Sequence, residues 1–162
     1  MRFLTLLFLV ITTSCLSQTL KELRVEYPKA NLEKAVTNTL HEELSSVAEV
    51  DNKTLLAYKG AVLTLKAKFA KGIKTKKNFF KEGVQLLEIA ISSEPANLEI
   101  RCLRLGVQEN APKIVGYKKH IGEDKQFILD HYPSTSTEEI RKFVKGYVLL
   151  SDLFTEAEKQ LF

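Results

Sequence analysis

The sequence predicts an all-α fold, and three observations support this prediction. Gly and Pro together make up only 11 of 162 residues, whereas sheet-rich folds need more turn residues. Apolar residues recur every three or four positions through most of the chain. No segment of about four to eight residues alternates strictly between apolar and polar side chains. The length fits one domain, and the 44% hydrophobic content excludes a disordered chain.

The first 17 residues predict an export signal outside this domain. Arg2 supplies a positive start, Phe3–Ile11 is an apolar run, and the residues that follow are small and polar. The run is too short to cross a bilayer, which takes about 20 residues. We therefore expect an exported protein, in the periplasm or outside the cell, whose single helical domain covers residues 18–162.

Two ways of processing the signal remain open. Cleavage after Ser17 would remove both the signal and Cys15, while lipidation would make Cys15 the membrane-anchored N-terminus of a bacterial lipoprotein. The ending Cys-Leu-Ser-Gln resembles the export signals of Bacteroidetes, as the chain resembles their uncharacterised exported helical proteins. After cleavage Cys102 would be the last cysteine, which excludes an intrachain disulfide. We expect Cys102 to be buried on an apolar helix face.

Periodicity predicts the first two helices of the domain. After a break at Pro28, the segment Asn31–Val47 places an apolar residue at every fourth position. The segment Asp51–Ala70 has two adjoining apolar stripes, with Asp51 as the expected N-cap. Gly72 follows its last turn and fits a helix stop.

Three prolines divide the next stretch into helices. One helix is predicted from about Lys76 to Ser92, and Pro95 prevents its continuation. A second covers about Ala96 to Asn110, before Pro112. A third begins near Lys113 and is predicted to end at Tyr132, before Pro133.

Capping-box patterns predict the last two helices. Ser136 and Glu139 are expected to begin one helix, and Thr155 and Glu158 a short terminal one. Successive helix starts are about 20 residues apart, and short connections make sequential helices antiparallel neighbours. The sequence thus predicts antiparallel helix pairs, stacked as a short solenoid or packed as a bundle.

One segment of the chain resembles a known repeat family. The stretch Glu82–Asn97 is similar to the second helix and terminal turn of a tetratricopeptide repeat, because it has a small residue, a bulky apolar residue, Ala and Pro at that motif's intervals. These residues are Gly83, Leu87, Ala90 and Pro95. Small residues allow two helices to approach closely, and Pro prevents the helix from continuing into the next one.

The preceding helix, with Tyr58, Gly60 and Leu63, resembles the first helix of such a repeat, although the usual Trp is absent. The link around Ala70–Lys77 is expected to be longer than the motif has. The resemblance implies a tetratricopeptide-like core over about residues 51–132, with a concave surface that binds peptides or proteins. A generic helical bundle remains the alternative.

The most unusual charge feature is the segment Lys66–Lys81, which has seven lysines and no acidic residue. We name it the lysine turn. Its candidate partner-binding residues are Lys71, Lys74, Lys76 and Lys77. They could contact an acidic partner or an anionic membrane surface, or they could be solvated lysines that complement a helix C-terminus. No nucleic-acid recognition motif is present, so we expect no nucleic-acid partner.

The sequence indicates no catalytic, cofactor-binding or metal-binding residues. After His41 the zinc-protease motif fails, because Ser45 occupies the position of the second His. His120 and His131 lie near carboxylates and define a less favoured alternative, a small exported enzyme. We therefore expect a non-enzymatic binding or scaffold module of the cell envelope with no cofactor. The second alternative is a structural lipoprotein anchored at Cys15.

Overall fold

A computed structural model describes residues 19–162, and this part of the chain is entirely helical, with eight α-helices and no strand. The prediction of an all-α fold is confirmed. Helix α1 covers residues 19–30, and the others are α2 (Lys34–Glu43), α3 (Lys53–Phe69), α4 (Ile73–Ser93), α5 (Leu98–Asn110), α6 (Ile121–His131), α7 (Glu138–Leu150) and α8 (Glu156–Lys159). Short 3-10 segments cover Lys113–Val115 and Tyr132–Ser134.

The helices follow one another as hairpins. Helix α3 packs along α4 and also contacts α2 and α5, while α5 contacts α4, α6 and α7. Helix α1 reaches two of these helices through one aromatic side chain, because the ring of Tyr27 lies 5.6 Å from that of Tyr58 and 6.5 Å from that of Phe143. The chain therefore returns to its first helix when it reaches α7.

Two groups of buried apolar side chains form the core. The larger lies between α1, α2, α3, α4 and α5, with Tyr58, Leu87 and Leu103 among its fully buried members. The smaller joins α5, α6 and α7 through Leu105, Ile128 and Val148. Burial of these groups is the main favourable contribution to folding.

Helices α3 and α4 approach closely at two glycines. A Cβ atom added to Gly60 would lie 2.6 Å from the carbonyl oxygen of Gly83, and one added to Gly83 would lie 2.5 Å from that of Gly60. Both neighbours are backbone atoms, so neither helix could accept a side chain without moving. The close approach expected from Gly83 is confirmed, and Gly60 supplies the other half of it.

Several predicted boundaries are wrong by a few residues. Asn52, not Asp51, caps α3, and its side chain accepts a hydrogen bond from Leu55 N at 3.1 Å. Asp51 instead accepts a bond from Ala48 N at 2.7 Å, which closes the turn before the helix. At α7 the N-cap is Thr137 rather than Ser136, and no side chain caps it.

The capping box of α8 is confirmed. The side chain of Thr155 accepts a hydrogen bond from Glu158 N at 3.2 Å, and Thr155 N donates to the Glu158 carboxylate at 2.7 Å. Two backbone donors at the start of this short helix are thereby satisfied.

Two predicted segments differ in extent. Helix α4 begins at Ile73, so its link to α3 is the three residues 70–72 and not the long link expected around Ala70–Lys77. Gly72 has a φ of 81°, which glycine adopts without strain and which lets the chain reverse there. The single helix expected from Lys113 to Tyr132 is instead a 3-10 segment, an irregular turn and α6. Gly116 interrupts it with a φ of 66°.

Within residues 19–162, no helix has the length and apolar content that crossing a bilayer requires.

Candidate functional site

The described residues form an open groove of about 1860 Å³. Its walls are one face of α1, the C-terminal half of α3, the N-terminal half of α4, α5 with the turn that follows it, and α7. Leu103 and Val107 of α5 are buried beneath it, and Phe143 and Tyr147 of α7 are partly exposed beside them. Pockets for drug-sized ligands are usually about 300–1,000 Å³, so the groove is large enough for a segment of polypeptide.

Large apolar side chains project into solvent around this groove. Ile73 at the start of α4 is 87% exposed, Ile114 after α5 is 95% exposed, and Leu150 at the end of α7 is 87% exposed. Val25 of α1 is 56% exposed on the facing wall. Scattered exposed apolar residues are ordinary, but several around one concavity indicate a binding surface.

Helix α4 presents a regular stripe to the groove. Its groove-lining residues fall at steps of three and four, which places them on one helix face. Apolar and basic side chains are mixed along this stripe, which consists of Ile73, Lys76, Lys77, Phe80, Lys81 and Val84, and Gln85 follows it at the same wall. The stripe therefore combines hydrophobic contact area with positive charge.

The structure divides the seven lysines of the lysine turn into two groups. Lys66 donates to Asn38 Oδ1 at 2.8 Å, and Lys68 donates to Asn31 O at 2.7 Å. These two lysines connect α3 to the N-terminal hairpin. The other five form no ion pair among residues 19–162 and are exposed: Lys71, Lys74, Lys76, Lys77 and Lys81.

Only part of the predicted binding set lies on the groove. Lys76 and Lys77 line it, as does Lys81, which was not among the four residues singled out. Lys71 and Lys74 are exposed but do not line the groove. Lys71 and Lys74 precede or begin the first turn of α4, whereas Lys76, Lys77 and Lys81 lie farther along the helix beside the groove.

A polar cluster at one end of the groove was not predicted. Glu109 of α5 accepts hydrogen bonds from Tyr147 Oη at 2.8 Å, Ser151 Oγ at 2.9 Å and Asp152 N at 3.0 Å. These bonds satisfy the end of α7 and fix the distance between α5 and α7. Because the partners lie about 40 residues away in the sequence, no local pattern could have indicated them.

A buried ion network joins α5 to α6. Asp124 is fully buried and accepts bonds from Arg101 at 2.9 Å, from two nitrogens of Arg104 at 2.7 Å and from Gln108 at 3.0 Å. Arg104 also donates to Glu88 of α4 at 3.1 Å. We name these residues the Asp124 network. With four donors on it, Asp124 has the environment of a structural counter-ion.

Glu123 lies at the outer edge of this network. Its carboxylate accepts from Arg101 and, at 2.8 Å, pairs with Nδ1 of His120. The bond from Arg101 and then that from His120 lower the pKa of Glu123 to about 2. The side chain is 52% exposed, so water screens much of this interaction.

The three histidines lie in separate surroundings. His120 pairs with Glu123, while the ring of His131 stacks on Phe127 with centroids 3.9 Å apart and its Nδ1 contacts Phe127 O at 2.9 Å. Asp130, the carboxylate that precedes His131 in the sequence, accepts a bond from Gln126 at 2.8 Å and not from His131. His41 packs against Phe79. No group of three His, Cys, Asp or Glu side chains in residues 19–162 is arranged to hold a metal ion.

A second buried carboxylate connects α1 to the rest of the molecule. Glu99 is 1% exposed and receives two bonds from Arg24, at 2.8 and 2.7 Å, and one from Tyr58 Oη at 2.8 Å. Glu99 also lies in the first turn of α5, where negative charge is favoured by the helix dipole. The three residues fix the position of the α1 wall of the groove.

Of the two cysteines, the structure describes one. Cys102 is 2% exposed and unpaired, and burial raises the pKa of its thiol well above the usual range, so the predicted buried role is confirmed. Cys15, the candidate lipidation site, and the export signal at residues 1–17 lie outside the described residues.

Comparison with known proteins gives no relative for this chain. No protein-family model matches it, and neither the curated proteins nor the solved structures give a significant match. The functional proposal therefore depends on the site itself.

Proposed function

We propose that this protein is an exported, non-enzymatic module of the cell envelope that binds a peptide or a segment of another protein in the groove. The observation on which the proposal depends is the groove itself, about 1860 Å³ in volume and surrounded by exposed apolar side chains. Covering such a surface with a partner is favourable, by about 25 cal/mol for each Å² of apolar area removed from water.

The arrangement of the helices supports a tetratricopeptide-like version of this proposal. Residues from five of the hairpin helices, α1, α3, α4, α5 and α7, contribute to the groove. The three-residue link between α3 and α4 and the glycine contact between them are compatible with such a helix pair. In helical solenoids, the concave surface made by successive repeats is the docking surface for partners.

The polar side chains favour binding over catalysis. The carboxylates of Glu99, Glu109 and Asp124 are each occupied by at least three hydrogen bonds from other helices or their ends. A general acid or base needs a site open to its substrate. None of the three histidines is among the residues that line the groove.

A peptide library displayed on phage and selected against the purified protein tests this proposal. We expect enriched peptides that bind the protein with apolar side chains. Binding should fall at least about tenfold when Ile114→Asp and Leu150→Asp are combined, because each change places a charge in the apolar contact. Both residues are largely exposed, so the fold should be unaffected.

The matched control combines Leu32→Asp and Val50→Asp. These residues are 80% and 89% exposed and do not line the groove. The control should leave binding unchanged. Equal loss in both double variants, or no enriched peptide, would show that the groove is not a peptide site.

A further inference from the structure

We infer that the groove selects acidic segments, and that the stripe on α4 is the element that recognises them. The occupant would be a polypeptide segment in which apolar side chains alternate with Asp or Glu at helical spacing. This inference depends on the proposed function, since it names the chemical class of peptide that the groove binds.

The first argument is the pattern of the stripe. From Ile73 to Val84 the groove-lining positions of α4 are three apolar residues and three lysines, and they cover about 16 Å along the helix axis. A helix face that combines apolar residues and lysines is complementary to a second helix face that has apolar residues and carboxylates at matching spacing. Among residues 19–162 no other helix packs over the stripe, so this face of α4 is open to the groove.

The second argument is the state of the three lysines. Lys76, Lys77 and Lys81 are exposed, and none forms an ion pair with another described residue. In contrast, Lys66 and Lys68 of the same segment are used by the fold itself. The groove lining as a whole has seven basic and four acidic residues, and its three unpaired lysines on one wall favour an anionic partner and increase its rate of association.

The third argument is the mode of recognition that the described chain can offer. Peptides that bind by strand addition need an exposed sheet edge, and residues 19–162 contain no strand. An amphipathic segment that places its apolar face in a groove needs only apolar walls and a matching charge pattern. Ile73, Phe80 and Val84 supply the apolar part on α4, and Val25 and Leu150 supply it on the facing walls.

The test uses three synthetic peptides of about 14 residues, which as helices would be about 21 Å long. All have Leu at helical spacing, and the positions between are Glu in the first peptide, Gln in the second and Lys in the third. Binding to the purified protein is measured by calorimetry or fluorescence anisotropy at about 0.15 M salt, where the Debye length is about 8 Å. We expect the Glu peptide to bind at least about tenfold more tightly than the Gln peptide, and the Lys peptide to bind least.

Charge reversal on the stripe is the most direct test of the role of the lysines. The variant K76E/K77E/K81E should lose at least about tenfold in affinity for the Glu peptide and should now prefer the Lys peptide. The matched control is K34E/K119E/K145E, which changes the net charge equally at exposed positions that do not line the groove. The control should change the affinity for the Glu peptide by less than about twofold.

The possible results separate this inference from the proposed function. If the Gln and Glu peptides bind equally and the stripe variant has no effect, the groove binds peptides but does not select acidic ones. If none of the three peptides binds while library-selected peptides do, the inference alone fails, and if those also fail, the proposed function fails as well. Equal loss in both charge variants would indicate diffuse electrostatic attraction and would overturn the inference.

Vesicles containing anionic phosphatidylglycerol test the competing class of partner. If these vesicles bind the protein, displace the Glu peptide and are released by the stripe variant, the lysines serve a membrane surface and the inference is wrong. We expect the vesicles to leave binding of the Glu peptide unchanged. Sedimentation of the free protein tests a second copy as the occupant, and a dimer that the stripe variant dissociates would also overturn it.

Discussion

The hairpins α3–α4 and α5–α6 have the same topology and are neighbours, but different interactions hold them together. Helices α3 and α4 meet at Gly60 and Gly83, where backbone lies against backbone. Helices α5 and α6 are joined through the buried carboxylate of Asp124 and the guanidinium groups of Arg101 and Arg104. The first contact involves no charged group. In the second, removing one partner would leave a buried charge unpaired, which is strongly destabilising.

The difference has a consequence for the groove. The α3–α4 contact depends on small residues along one interface, so the outer face of α4 is free to vary in chemistry and has the lysine stripe. The α5–α6 contact uses the polar side chains of α5 for the fold, which leaves the apolar residues Leu103 and Val107 of that helix beneath the groove. The apolar base and the lysine-bearing wall of the groove therefore come from two hairpins with different kinds of packing.

The largest expected effect is in the charged hairpin. Arg104→Ala removes two of the four hydrogen bonds to Asp124 and leaves a buried carboxylate partly unpaired. We expect a loss of about 3–5 kcal/mol in the free energy of unfolding, measured by urea denaturation. The control is Lys142→Ala, whose exposed pair with Glu138 is 3.5 Å long and should contribute less than about 1 kcal/mol. Similar losses in both variants would show that burial of the network is unimportant.

The next effect is in the glycine contact. Gly83→Ala would place a Cβ atom 2.5 Å from Gly60 O, and the two helices must separate to accept it. We expect a loss of about 1–3 kcal/mol in the free energy of unfolding. Gly146→Ala in α7 is the matched control, since a Cβ there meets no atom within 4 Å and Ala should stabilise the helix by about 0.5–1 kcal/mol. If Gly83→Ala were also stabilising, the close approach would not constrain the hairpin.

The smallest expected effect is a pH dependence of stability that only the charged hairpin α5–α6 should show. The pKa of Glu123 is lowered from 4.5 to about 2 by Arg101 and His120, so its charged form is favoured in the folded state. This stabilisation is complete above pH 4.5 and is lost as the pH falls through about 2. The difference in free energy of unfolding between the wild type and Glu123→Gln should therefore decrease over that interval. At about pH 5 it should be less than about 1 kcal/mol, because the side chain is half exposed.

The glycine contact provides the control for this pH dependence. The destabilisation caused by Gly83→Ala involves no titrating group and should be constant over the same pH interval. A stability difference for Glu123→Gln that stayed constant on acidification would show that the ion pairs of Glu123 do not contribute. Denaturation curves at pH 5, 4, 3 and 2 would measure both variants together.

Local patterns in the sequence predicted a substantial part of this fold. Helical periodicity, low turn content and the positions of Pro95, Pro112 and Pro133 predicted the all-α class and most helix ends, because these signals act over only a few residues. Gly83 indicated a close helix approach, and Cys102 was correctly expected to be buried. The errors at Asp51, Ser136 and Lys113 arose where two candidate caps or a turn glycine lie side by side.

Other features could not be read from a local pattern. The groove is made of residues from α1 to α7, and the sequence alone indicated only the lysine turn, half of whose four predicted residues line the groove. The Asp124 network had appeared only as carboxylates near His120. Glu109 and Glu99 had no signal, because their partners are 38 to 75 residues distant in the chain.

The division has a physical reason. The sequence by itself determined which segments become helices and which face of each is apolar, since backbone hydrogen bonds and side-chain periodicity are local. Only the tertiary structure decided which charges become buried partners and which remain free. That choice depends on the distance between helices, which Gly60, Gly83 and the Asp124 network set together. The same packing leaves Lys76, Lys77 and Lys81 unpaired beside the groove, and the inferred preference for acidic segments depends on that outcome.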